Sequence, residues 1–76
     1  MYILEICDIE SNFLAYWIRF SDYVLREAEK KNVSLFIIRD TLVSEFNGRM
    51  LFCYNENPVI EFDTENDAIL FKIKYS

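Results

Sequence analysis

Apolar and polar positions along this chain follow two different periods. Residues 2–7 (YILEIC) are rich in strand formers and stop at an acidic, polar break, which marks a first strand. From about Ser11 to Lys31 the spacing turns helical. Phe13, Trp17, Phe20, Val24 and Ala28 recur at three and four, and Asn12, Arg19, Asp22, Arg26, Glu29 and Lys30 form the opposite polar stripe. Asp8, Ser11 and Asn12 all suit a helix N-cap, so the start is open by about one turn. The end is better marked. Lys30 and Lys31 complement the negative helix terminus, and Asn32 tolerates the left-handed conformation just beyond it.

Residues 33–46 (VSLFIIRDTLVSEF) admit two readings. As a helix, Ser34 caps it, Leu35, Ile38, Leu42 and Phe46 share a face, and Asn47-Gly48 closes it. As a strand, VSLFII has the right composition, and Asn47-Gly48 becomes a type I′ hairpin turn. The helix is preferred because its period persists to Phe46. Residues 49–54 and 58–62 read as strands joined by Asn55-Glu-Asn57, with Pro58 suited to a strand start. Thr64 with Asp67 three residues later is a variant capping box, which predicts a helix over about 65–73. The alternation of Ile69, Phe71, Ile73 and Tyr75 argues for strand instead. The whole predicts one domain, 1–76, of α+β class in the order β-α-α-β-β-α: a small three-stranded antiparallel sheet with helices on one face. The alternative is β-α-β-β-β-α.

The stretch FLAYWIRFSDY, residues 13–23, holds five of the thirteen aromatic side chains. Phe13, Trp17 and Phe20 are expected against the sheet. With Leu14, Ile18 and Leu25 beside them, the apolar side chains cover more than half the helix, wider than packing on one sheet requires. Tyr16 and Tyr23 are covered either by a helix at 34–46 or by another molecule. Trp, Tyr and Arg dominate binding hot spots, so Tyr16, Trp17, Arg19 and Tyr23 are the candidate partner-binding residues.

Composition sharpens this picture. The chain is 53% hydrophobic and 17% aromatic, above the usual globular level and far from disorder. Thirteen acidic and eight basic residues set the net charge at −5, which disfavours direct nucleic-acid or anionic-membrane binding. No apolar run reaches membrane-spanning length. Cys7 and Cys53 sit in apolar stretches and read as reduced core residues of a cytoplasmic protein. The immediate entry into a strand pattern and the absence of a signal-type segment suggest that the chain begins near its natural start.

Chemistry is sparsely represented. There is no histidine and only one glycine, so neither a His-based catalytic pair nor a phosphate-cradling loop can form within the chain. Asp63, Glu65 and Asp67 fall at positions 1, 3 and 5 of a calcium-type loop. Ala68 and Lys74 then occupy the places where that loop needs Gly and Glu. No cofactor, metal or enzymatic role is expected. The acidic run Glu56, Glu61, Asp63, Glu65 and Asp67 reads either as a solvated segment leading into a helix N-terminus or as a docking patch. Glu61, Asp63, Glu65 and Asp67 therefore join the candidate partner-binding residues.

Gly48-Arg49, the aromatic hairpin after it and IEFDTENDAILFKIKYS to the last residue resemble the tails of many small proteins of T-even-type phages. Those tails pair a strand ending in Phe with an acidic capped turn and an FKLK-like finish. The matching residues here are Phe62, Asn66-Asp67-Ala68 and Phe71-Lys72-Ile73-Lys74; Asn66 departs from the acidic residue usual at its place. The resemblance spans positions 48–76 and excludes the aromatic helix. It implies a phage-encoded early protein, from a group rich in small inhibitors of host or defence machinery, and it implies no catalytic residue.

The functional expectation is a non-enzymatic protein that binds a host or defence protein in the host cytoplasm and blocks or redirects it sterically. One alternative is a homo-oligomeric structural or assembly protein, a homodimer being the simplest form. Another is an acidic DNA mimic that inhibits a nucleic-acid enzyme.

Overall fold

The computed structural model describes residues 1–52 and 57–76. Its elements are β1 (Tyr2–Glu5), α1 (Ala15–Lys31), α2 (Leu35–Ser44), β2 (Gly48–Leu51), β3 (Val59–Phe62) and α3 (Glu65–Lys74). This is the expected α+β order β-α-α-β-β-α. Residues 33–46 contribute a helix, so the arrangement with a fourth strand is not formed. The expected continuation of the second strand to 54, the link at 55–57 and the reading of Cys53 fall wholly or partly outside the described residues.

The sheet is antiparallel in the order β1-β3-β2. Its register sets four rows across the strands. Tyr2–Phe62–Gly48 and Leu4–Ile60–Met50 alternate with Ile3–Glu61–Arg49 and Glu5–Val59–Leu51. Leu4, Ile60 and Phe62 are buried, with Tyr2 and Met50 packed against them, whereas Ile3, Glu5 and Arg49 are exposed. Successive side chains point to opposite faces of a strand, so the helices cover the first pair of rows and leave the second pair open.

Local chemistry explains the helix boundaries. Asp8, Ser11 and Asn12 do not cap α1. Asp8 Oδ1 accepts the N–H groups of Glu10 and Asn12, Ser11 takes a positive φ of 65°, and Cys7 bridges Phe13 in β fashion. These residues build a tight turn, and α1 starts beyond it with Leu14 as an N-cap that makes no side-chain bond. The end of α1 falls where expected. Asn32 is left-handed, and its N–H reaches the carbonyls of Ala28 and Glu29. Ser34 Oγ accepts the Phe36 N–H to start α2, and the left-handed Asn47 turns the chain from α2 into β2. Thr64 Oγ1 accepts the Asp67 N–H at 3.2 Å, and its hydroxyl donates to Asp67 Oδ2, which starts α3.

Aromatic rings fill the core. Phe71 of α3 is fully buried at its centre, with ring centroids of Phe20 and Tyr75 at 5.0 Å, Phe62 at 5.5 Å, Phe46 at 5.7 Å and Tyr16 at 6.2 Å. Such tilted and edge-to-face pairs are favourable beyond the area they bury. The alternation of Ile69, Phe71, Ile73 and Tyr75 does not make a strand. In α3, Ala68 and Phe71 turn inward, as does Tyr75 at its C-cap, while Ile69, Leu70 and Ile73 stay exposed.

Candidate interaction surface

Helix α1 sends the rings of the 13–23 stretch in different directions. Phe13 was expected against the sheet but is 57% exposed, because it precedes the helix in the turn-closing bridge. Tyr16 takes the inward place. It is 5% exposed, its ring meets Phe71 edge-on, and its hydroxyl donates to the Glu5 carbonyl oxygen at 2.5 Å. Tyr16 is therefore a core residue packed by β1 and α3, not a surface anchor. Its burial, with the nearby Cys7 and Glu5, pushes its phenol well above the ordinary value.

Trp17 and Tyr23 end on opposite flanks of α1. Trp17 leans on Phe20 at 5.3 Å and walls a groove shared with α2. Tyr23 is exposed beside Tyr75, with centroids 5.8 Å apart, and the neighbouring Glu27 carboxylate raises its phenol. Arg19 and Tyr23 line a shallow recess with Arg26, Lys74 and Tyr75. The anticipated single patch of Tyr16, Trp17, Arg19 and Tyr23 is thus split between the interior and two flanks.

The acidic segment is also divided. Arg49 reaches from β2 to pair with both Glu61, at 2.6 Å, and Asp63, at 3.1 Å. Asp67 belongs to the α3 cap and also accepts from the Asn47 amide at 3.4 Å. Glu65 is exposed in the first turn of α3, where its charge complements the helix end. Three of these four carboxylates therefore have structural partners inside the chain. Glu56 lies outside the described residues.

A surface not anticipated from the sequence lies along the seam of α1 and α2. A groove of about 320 Å³ runs between Trp17, Ser21 and Leu25 on one side and Leu35 and Arg39 on the other, with the buried Phe20 and Val24 as its floor. Beside it, Phe36 and Phe52 are 60% and 64% exposed. The Arg39 guanidinium carbon sits 5.2 Å from the centroid of each ring and pairs with Asp40 at 2.9 Å. A cation over two ring faces attracts both rings. The signal for this surface was the unbroken run Leu35-Phe36-Ile37-Ile38. At 100° per residue four consecutive apolar side chains encircle a helix, so a single buried face cannot take them all.

Larger still is a cleft of about 460 Å³ at the end of the sheet, lined by residues of 5–9 and 57–59. Among the described residues no group of three or more His, Cys, Asp or Glu is placed to hold a metal ion, and no helix is long and apolar enough to cross a membrane. The chain matches no protein-family model, no curated protein and no solved structure.

Proposed function

We propose that this is a phage-encoded, non-enzymatic protein that binds a host or defence protein in the host cytoplasm and inhibits or redirects it by occupying its surface. The observation that carries this reading is the Phe36–Arg39–Phe52 stack beside the α1–α2 groove. Aromatic side chains, phenylalanine among them, and arginine are enriched at protein interfaces, and arginine is among the residues that dominate binding energy. The half-buried Trp17 and the exposed Leu25 and Leu35 continue the surface. The phage assignment rests on the resemblance carried by Phe62, Asn66-Asp67-Ala68 and Phe71-Lys72-Ile73-Lys74.

The test is affinity capture from bacterial lysate with the wild type, Phe36→Asp and Glu65→Gln. The expected result is a partner retained by the wild type and Glu65→Gln and lost with Phe36→Asp, whose activity falls when the wild-type protein is added. Capture unchanged by Phe36→Asp, in a variant with wild-type circular dichroism, would remove this surface from the reading.

DNA mimicry is the weaker reading, because Glu61 and Asp63 share Arg49 and Asp67 caps α3. It requires carboxylates left available in a phosphate-like array. A captured complex that dissociates steeply with rising salt would restore it.

A further inference from the structure

Asn47 stands in the turn from α2 to β2 and is followed by Gly48, the single glycine of the chain. The backbone nitrogen after an asparagine can attack the side-chain amide, and a side chain on that next residue hinders the approach. Glycine carries none. The asparagines at 12, 32, 55, 57 and 66 all precede residues with side chains. Asn47 is therefore the asparagine whose neighbour obstructs this reaction least.

The sheet register leaves the attacking nitrogen unengaged. The Asp63 N–H donates to the Asn47 carbonyl oxygen at 3.1 Å, in line with the Gly48–Phe62 pairing. Asn47 and Asp63 are thus a hydrogen-bonded pair, and Gly48 and Phe62, one step along, are a non-hydrogen-bonded pair. The Gly48 N–H consequently points away from β3. β2 is an edge of the sheet, so among the described residues no strand takes that N–H on the outer side, and no turn or cap bond engages it. A recess of about 290 Å³ between α2 and β2, with Ser44, Gly48 and Arg49 among its walls, gives water access to the turn. The side chain is loosely held as well. Asn47 is exposed, and its amide nitrogen donates to Asp67 Oδ1 at 3.4 Å, longer than an ordinary N–H···O bond.

We propose that Asn47 deamidates spontaneously in the folded chain and that the product loosens the junction of α2, β2 and α3. The Gly48 nitrogen gives up its proton and bonds to Asn47 Cγ. The Cγ–Nδ2 bond breaks, and Nδ2 takes up a proton and leaves as ammonia. Water then opens the cyclic imide at either carbonyl, giving aspartate or isoaspartate, with no oxidant or reductant consumed. Aspartate sets a carboxylate against Asp67 where the amide had donated, and like charges repel. Isoaspartate routes the main chain through Cβ. It displaces the carbonyl that accepts from Asp63 and lengthens the turn beside the close packing of Gly48 on Phe62 and Val43.

The experiment incubates the full chain, folded and in urea, in mildly alkaline buffer, and follows peptide-mapping mass spectrometry together with thermal melting of the folded sample. The expected result is conversion of Asn47 in the folded chain ahead of every other asparagine, to both aspartate and isoaspartate, with the melting temperature falling in step. Asn47→Gly suits the left-handed turn and carries no amide, so its melting temperature is expected to hold over the same time. Asn47→Asp is expected to melt below the wild type, by less in high salt.

Asn47 intact in the folded chain but converted in urea would overturn the proposal, since the fold would then protect it. Conversion with an unchanged melting temperature, or an equal fall in Asn47→Gly, would overturn the coupling to the junction.

Discussion

Gly48 lies directly opposite Phe62 in the sheet, and a Cβ added to it would stand 2.7 Å from the Phe62 ring and 2.9 Å from a methyl group of Val43. Phe62 and Val43 are both fully buried. The glycine is there for space, since its φ is not positive. Gly48→Ala is expected to destabilise the fold by about 1–3 kcal/mol through overpacking. Thermal melting checks this; an unchanged midpoint would mean that the ring has another place to go.

The hydroxyls of Tyr16 and Tyr75 should respond oppositely to removal. Tyr16 donates to the Glu5 carbonyl, so Tyr16→Phe is expected to cost about 1 kcal/mol. Tyr75 is 6% exposed, and its hydroxyl has no partner among the described residues. Tyr75→Phe relieves an unsatisfied group and should be neutral or stabilising by up to about 1 kcal/mol. Urea unfolding of the two variants measures the contrast.

Alkaline pH should weaken the fold through the same two residues. Burial raises the Tyr16 phenol, and burial with the nearby Tyr23 and Glu45 pushes Tyr75 up to about 12. Both native pKa values exceed the unfolded value near 10, so the native state holds protons that the unfolded chain releases. Their contribution is complete below about pH 10 and is lost progressively as pH rises through the native values. The urea midpoint should therefore fall between about pH 9 and about pH 11, and fall less in a Tyr16→Phe/Tyr75→Phe double variant. Comparing the two separates the tyrosines from the lysines, which titrate in the same range. Equal slopes would contradict the assignment.

The cap of α3 offers a local test. Thr64→Ala removes the acceptor for the Asp67 N–H and should cost about 1 kcal/mol. Thr64→Ser should restore most of it. If alanine is harmless, Asp67 and water satisfy the helix start without the threonine.

Arg49 carries the ion pairs of the open sheet face. Its guanidinium and Asp63 are well exposed, while the Glu61 side chain is only 13% exposed. Arg49→Leu should cost about 1 kcal/mol or less at low ionic strength, and less still in high salt. A large salt-independent loss would mean that Arg49 packs structurally as well as pairing.

Much of the fold was legible in short-range signals. Thr64, Ser34 and Asn32 each act within a few residues, and the helical period of 34–46 outweighed its strand-like composition. The start of α1 was misplaced because Asp8, Ser11 and Asn12 hydrogen-bond locally either as helix caps or as a turn. The pairing of Cys7 with Phe13 decides between them. The candidate site was read less well. Tyr16 and Trp17 are neighbours on one helix, yet β1 and α3 bury the first while the second borders an open groove.

By itself the sequence determined the elements, their order and the excess of apolar side chains over what one core can hold. Those follow from periodicity, capping and composition, which act over a few residues. Only the tertiary structure decided where the excess goes. Packing of β1 and α3 on α1 buries Tyr16, the pairing of β2 with β3 brings Arg49 to Glu61 and Asp63, and the seating of α2 leaves Trp17 bordering a groove with Phe36 and Phe52 standing around Arg39. Burial is set by contacts between residues far apart in the chain, and no local pattern specifies them.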